Sequence, residues 1–302
     1  MSRKIVYLIN PISGTRGKTS LRELIVRRTE EQHIDFEILP TDAEGNYDHL
    51  RDHIIKDKVT DIIICGGDGT VNAVAAALQG CSVRVGIIPM GSGNGLAFAA
   101  RIPKDPNRAL DIIFAGKASL IDGLMINDKF SCMLCGIGFD AEVAHTFAQQ
   151  TTRGLQTYIR VTFGIFFSGK CWQFGIEPGP GIEPFTAEAF FISIANANQF
   201  GNNFTIAPRA RLDDGLLDIV IVKKMNKFRT LWAVLRQVLG GYAIKRNPGK
   251  PGNGKVLYFQ TPALRIVNSE LAPLHIDGDP TKTAAVFDIR ILPHIIELIQ
   301  PG

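Results

Sequence analysis

The sequence predicts an α/β domain built on a parallel sheet, followed by a second domain that is β-rich and mostly antiparallel. Three observations carry this. Short apolar runs alternate with helical patterns over residues 4–88, the texture of a parallel sheet covered by helices on both faces. Polar, glycine-bearing loops follow three of those runs, over residues 10–17, 66–69 and 91–95, at the carboxyl ends of strands where such sheets bind ligands. After about Asp122 the pattern turns to β-rich stretches divided by Pro/Gly connectors at 178–181 and 247–254.

The elements follow in order. Residues 4–9 read as a buried strand, 21–31 as a helix, 36–39 as a strand, 47–56 as a helix, 61–65 as a strand, 70–78 as a helix and 85–88 as a fourth strand. Beyond residue 122, the stretches 189–195, 216–222 and 256–259 read as strands, interrupted by helical patterns at 155–167 and 228–242. No internal repeat is visible. The boundaries expected are 1–122 for the first domain, completed by a tail at 286–302, and 123–285 for the second.

Composition narrows the function classes. A chain of 302 residues with 45% hydrophobic content has room for two cores. No apolar run is long enough to span a bilayer, and Asn10-Pro11 ends the first one too early for a signal peptide. Five scattered cysteines point to reduced thiols and a cytoplasmic protein. Cys132 and Cys135 have metal-pair spacing, but no second pair follows, and a core role is the expectation. Residues 223–255 hold nine Lys or Arg and no Asp or Glu, with Leu231, Val234, Leu235, Val238, Leu239 and Tyr242 at helical spacing. Two readings stay open there: a basic helix resting on an anionic membrane surface, and, favoured, a helix packed on its own domain. No nucleic-acid partner is expected.

Gly14-Thr-Arg-Gly-Lys-Thr19 imitates a phosphate-binding P-loop, but that loop needs four residues between its glycines and here there are two. Gly66-Gly67-Asp68-Gly69-Thr70 is the better candidate. Its glycines permit unusual dihedrals and a close approach to a ligand. The helix opening after them favours an anion such as phosphate, and Asp68 suits a Mg2+ ion bridging nucleotide phosphates. The competing reading makes Asp68 a helix N-cap.

Gly66-Gly-Asp-Gly-Thr-Val-Asn72 resembles the signature of the diacylglycerol kinase catalytic-domain superfamily, which includes bacterial lipid kinases and sphingosine kinases. The resemblance continues along the chain in order. Asn10-Pro11-Ile-Ser13-Gly14 is similar to the family's first nucleotide loop, and 89–97, with Gly91 and Ser92, to its third glycine loop. Residues 136–141 are similar to a motif of its second domain near the lipid cleft, and 207–218 to its Asp-Asp-Gly stretch.

This resemblance implies a Rossmann-like nucleotide domain of the phosphofructokinase and NAD-kinase type. It implies ATP held by Asn10, Pro11, Ser13, Gly14, Thr41, Gly66, Gly67, Gly69, Thr70, Asn72, Gly91 and Ser92. Asp68 and Asp122 would organise catalytic Mg2+, and Arg211, Asp214 and Leu216 a structural Mg2+; a plain turn is the alternative for that last loop. Where the family has Asp-Gly-Glu, this chain has Asp277-Gly278-Asp279, so Asp279 stands in the place of the base that deprotonates the lipid hydroxyl, with Asp277 as fallback. Ala73 stands where many relatives have Glu.

Asp140 could meet the acceptor's polar head, and Phe163, Ile165, Phe166, Phe167 and Trp172 could line an acyl cleft or form an ordinary core. The expected activity is phosphorylation of a lipid hydroxyl, diacylglycerol to phosphatidic acid first. The alternatives are a sphingoid-base kinase, an NAD kinase-like enzyme and a non-catalytic binding homologue. The expected partner is a lipid at the inner membrane face, touched peripherally; a homodimer stays open.

Overall fold

The computed structural model describes residues 3–9, 18–42, 44–152, 155–199, 205–224 and 254–302. They form two compact units, residues 1–122 with 294–302, and residues 123–293.

The first unit is wound as the sequence pattern requires. Strands β1 (Lys4–Ile9), β2 (Asp35–Pro40), β3 (Asp61–Gly66) and β4 (Arg84–Pro89) are parallel, in the spatial order β4-β3-β1-β2. Between them run α1 (Lys18–Glu31), α2 (His49–Asp57) and α3 (Asp68–Ala77). Ile5, Val6, Tyr7 and Leu8 of β1 and Ile62, Ile63 and Ile64 of β3 are fully buried, which explains why these strands are unbroken apolar runs rather than alternating ones. Buried Asp61, at the start of β3, is bracketed by two cations. Arg3 reaches it at 3.1 Å and Arg84 at 2.9 Å, so its charge is paired at the edge opposite the glycine loops.

Two further helices, α4 (Gly95–Ala99) and α5 (Pro106–Ala115), follow β4. In α5 the Asp105 carboxylate accepts the Arg108 N–H at 2.9 Å, Pro106 opens the helix, and Gly116 closes it in the left-handed region.

The second unit is antiparallel. It contains β6 (Lys129–Ser131), β7 (Leu134–Gly138), β8 (Trp172–Pro178), β9 (Phe185–Ala195), β10 (Leu217–Lys223), β11 (Val256–Thr261), β12 (Ala263–Val267), β13 (Leu274–Ile276) and β14 (Asp279–Thr281). The hydrogen-bonded path runs β14-β13-β7-β9-β8-β12, and β10 joins β9 to β11. Its core gathers Trp172, Phe174, Ile192, Ile194, Ile219, Ile266 and Phe287. Helices α6 (Phe139–Ala148) and α7 (Leu155–Ser168) lie between β7 and β8 in sequence. The chain passes between the units in β5 (Ala118–Ile126) and β15 (Val286–Ile299).

Strand β15 pairs with β12 over its first residues and with β4 at Glu297 and Leu298. Residues 286–293 therefore count with the second unit, where the sequence reading gave them to the first. Cys132 and Cys135 are both buried in the second unit, and burial pushes the Cys135 thiol well up, away from the thiolate a metal needs. The 228–242 helix and most of the basic stretch lie outside the described residues.

Candidate active site

In the first unit, two glycine loops meet at the carboxyl ends of β3 and β4. The Met90 N–H donates to the Gly66 carbonyl at 2.9 Å. A Cβ placed on Gly91 would stand 2.6 Å from the Gly67 Cα, and one on Gly66 would stand 2.9 Å from the Thr70 Cβ. Neither Gly67, with φ −95°, nor Gly66 or Gly91 lies in the left-handed region. The sequence pattern credits the glycines of the 66–70 loop with unusual dihedrals. Instead, two backbones and a helix turn pass so close that no Cβ fits.

Asp68 is not the N-cap of α3. Gly67, which has no side chain to offer, caps it, and Asp68 is the first helical residue. Its carboxylate therefore sits half-buried at the positive end of the helix, beside Gly69, Thr70 and half-buried Asn72. The first nucleotide loop, Asn10, Pro11, Ser13 and Gly14, lies outside the described residues, as does Gly17 of the P-loop look-alike. Thr41, buried, donates its backbone N–H to the Ile9 carbonyl at 3.1 Å, which sets the end of β2 against the end of β1.

The third loop has a brace that the sequence reading did not assign. Asn94, 3% exposed and with φ 56°, accepts the Gly91 N–H at 2.8 Å and donates to the Gly91 carbonyl at 2.6 Å. The signal was an Asn in a glycine-rich turn, the non-glycine residue that best tolerates the left-handed region. Ser92, in between, is exposed. Asp122 is fully buried, and its Oδ1 accepts the His294 backbone N–H at 2.8 Å.

In the second unit, Asp277 and Gly278 form the two-residue turn of the β13–β14 hairpin, with φ 50° and 86° and Ile276 opposite Asp279. Strand alternation, used to weigh the two acids from sequence, does not apply across such a turn. Asp277 is buried; its Oδ1 accepts the Ser131 hydroxyl at 2.6 Å and the Leu134 N–H at 2.9 Å. That makes it a structural carboxylate and removes it as fallback base. Asp279 is exposed.

Asp140 is buried in the first turn of α6, where its Oδ1 accepts the Ala141 N–H at 2.9 Å and its Oδ2 stands 3.4 Å from His275 Nε2. A buried carboxylate facing an imidazole is poorly placed for an acceptor's head group, so the substrate role expected for Asp140 is withdrawn. Phe166 and Trp172 are core residues, while Phe163 is 48% exposed.

The Asp-Asp-Gly loop is a turn. Asp214 Oδ1 accepts the Leu216 N–H at 3.1 Å, and exposed Arg211 pairs with Asp213 at 3.2 Å. The Gln260 amide stands 3.2 Å from Asp218 Oδ2 and 3.5 Å from Asp214 Oδ2. Burial, with Asp214 nearby, pushes the Asp218 carboxyl up to about 7. Two acids sharing one amide suit an oxygen-seeking cation such as Mg2+. Asp68 and Asp122 each offer a single carboxylate, and Mg2+ keeps several waters and takes one or two protein carboxylates. Among the described residues no group of three or more His, Cys, Asp or Glu could hold a metal ion.

Comparison with known proteins agrees along the chain. Residues 4–126 match the family model for the diacylglycerol kinase catalytic domain, and residues 137–300 match that for the YegS C-terminal NAD kinase beta sandwich-like domain. A diacylglycerol kinase of Staphylococcus carnosus is 25% identical over 92% of this chain and 89% of its own. A protein of Pectobacterium atrosepticum named a probable lipid kinase, YegS-like, is 27% identical over 100% of this chain and 98% of its own. The crystal structure of a diacylglycerol kinase from Bacillus anthracis superposes with a TM-score of 0.75 at 18% identity, covering 99% of this chain and 97% of that one, a likeness of fold. The chain belongs to the family of lipid kinases that join a diacylglycerol kinase catalytic domain to a YegS-type C-terminal domain.

Proposed function

We propose that this lipid kinase moves the γ-phosphoryl group of ATP to a lipid hydroxyl, with diacylglycerol as acceptor and phosphatidic acid as product. The observation that carries the reading is the meeting of the Gly66–Gly67 and Gly91 loops at the N-terminus of α3. Backbone N–H groups and the helix dipole there favour phosphate, and the lack of side chains lets it come close. Asn94 keeps the third loop in place before the nucleotide arrives.

Asp68 and Asp122 would hold Mg2+, which neutralises phosphate charge when bound. Asp122 is kept in one orientation by the His294 N–H. Exposed Asp279 accepts the proton of the attacking hydroxyl, and the hydroxyl oxygen bonds to the γ-phosphorus as the bond to the ADP oxygen breaks. A second Mg2+ at Asp214, with main-chain carbonyls of Arg211 and Leu216, would stabilise the loop.

Access to a bilayer lipid is assigned to α7. It carries no acidic residue, and Ile159 and Phe163, one turn apart, are 41% and 48% exposed. Among the described residues no helix is long and apolar enough to cross a membrane, so contact would be peripheral.

The test is phosphoryl transfer from γ-labelled ATP with Mg2+ to a panel of diacylglycerol, monoacylglycerol, sphingosine, ceramide and NAD. Label in phosphatidic acid supports the reading. Label only in NADP overturns it, and ATP binding without transfer to any acceptor points to the non-catalytic homologue.

A further inference from the structure

Next to the hairpin that carries Asp279 lies a histidine that none of the roles above uses. His275 is 1% exposed, in β13, and its Nδ1 accepts the backbone N–H of Gly278 at 3.2 Å. That bond fixes the neutral ring with its proton on Nε2. Nε2 faces Asp140 Oδ2 at 3.4 Å, and this oxygen accepts no hydrogen bond in the described structure. The other carboxylate oxygen is anchored on α6 through the Ala141 N–H. A continuous line therefore runs from the first turn of α6, through Asp140 and the imidazole, to the Gly278 N–H in the turn that leads into Asp279.

Gly136 makes the line possible. It lies directly across from His275 in the β7–β13 ladder, and a Cβ there would stand 2.1 Å from Asp140 Oδ2 and 2.4 Å from His275 Nε2. The imidazole and the carboxylate occupy the space that any side chain at 136 would fill.

The turn is thus held on two sides. The Asp277 carboxylate ties one residue to Ser131 and the Leu134 N–H, and His275 ties the next. We propose that His275 and Asp140 are positioning residues for phosphoryl transfer, holding the Asp277–Gly278 peptide of the turn so that the Asp279 carboxylate meets the lipid hydroxyl. This rests on the reading of Asp279 as the base. An Asp side chain is short and has little reach to absorb a backbone error, so its turn must be held tightly.

The experiment measures kcat and the KM values for ATP and diacylglycerol in His275→Leu, His275→Asn, Asp140→Asn and Asp279→Asn, and in the His275→Leu/Asp279→Asn double variant, with folding checked by circular dichroism and thermal melting. Misplacement of a reacting group by about an ångström costs on the order of a hundredfold. His275→Leu is expected to lower kcat about ten- to a hundredfold with both KM values little changed. His275→Asn retains an acceptor near the Nδ1 position and recovers most of that loss, so it keeps the test open if His275→Leu does not fold. Asp140→Asn gives an intermediate loss. In the Asp279→Asn background the His275 substitution costs nothing further, which a merely structural role would not produce. Wild-type kcat in the His275 variants beside an impaired Asp279→Asn overturns the positioning role alone, as does an undiminished loss in the double variant. Wild-type kcat in Asp279→Asn overturns the base assignment and the positioning role with it.

Discussion

Asp277 and Asp279, separated by one glycine, face opposite environments: the Asp277 carboxylate is enclosed by the Ser131 hydroxyl and the Leu134 N–H, and Asp279 is exposed at the start of β14. The turn between them, with φ 50° at Asp277 and 86° at Gly278, separates two carboxylates that strand alternation would have grouped. Their substitutions should separate in the same way. Asp279→Asn is expected to lower kcat by on the order of a hundred- to ten-thousandfold with little change in melting temperature. Asp279→Glu keeps activity within about tenfold of wild type. Asp277→Ala instead costs about 1.5–3 kcal/mol of stability, because it strips the charged acceptor from two buried donors. Kinetics and urea unfolding on the three variants check this. Equal stability losses at both positions would contradict it.

The meeting of Gly67 and Gly91 predicts a steric effect at the nucleotide loops. In Gly91→Ala the new Cβ falls 2.6 Å from the Gly67 Cα and 2.9 Å from Asn94 Oδ1, so the two loops must part. Overpacking of this kind costs about 1–3 kcal/mol. The KM for ATP should rise about tenfold or more while the KM for lipid changes little. A variant with wild-type ATP affinity would show that the close approach is not needed for binding.

The exposed stripe on α7 predicts a defect confined to membrane contact. Phe163→Glu replaces a half-exposed ring, so the melting temperature should hold within about 2 °C. Sedimentation with anionic vesicles should fall several-fold, as should the rate on vesicular lipid, while the rate on a short-chain soluble acceptor is kept. Unchanged vesicle binding would remove α7 from the contact surface.

Tyr7 gives a pH signature of the first unit. Its hydroxyl donates to Thr29 Oγ1 at 2.9 Å, since the Thr29 proton goes to the Ile25 carbonyl, and burial pushes the phenol up to about 12. Below pH 10 the phenol is neutral in both the folded and the unfolded chain. As pH rises from about 10 to 12 the unfolded chain releases the proton first, so stability falls across that window. Tyr7→Phe loses about 1 kcal/mol at pH 8 with the hydrogen bond but escapes the alkaline loss. Urea midpoints of wild type and variant should therefore converge between pH 8 and pH 11, and a constant gap would contradict the account.

Much of this was legible in the sequence because the signals were local. The four parallel strands of the first unit announced themselves as apolar runs, and the Gly66–Asn72 loop as glycines around an acid. Helix α5 was missed although Asp105, Pro106 and Gly116 mark its ends. Helix α6 was missed because Phe139 starts it directly from β7 without a capping side chain. What the sequence could not carry was pairing at a distance. The burial of Asp140 against His275 and the role of Gly136 are set by which strands lie side by side. The correction at Asp277 has a different origin, since a two-residue hairpin reverses the direction that alternation assumes.

The central claim is that the glycine loops and Asp68 deliver ATP phosphate to a lipid hydroxyl. The direct measurement is mass spectrometry of lipids from mixed vesicles of phospholipid and diacylglycerol, incubated with ATP, Mg2+ and either wild type or Asp68→Asn. The account predicts phosphatidic acid with the wild-type chain and none above background with the variant, which stays folded. Phosphatidic acid formed equally by both, or by neither while ATP is bound, would contradict it.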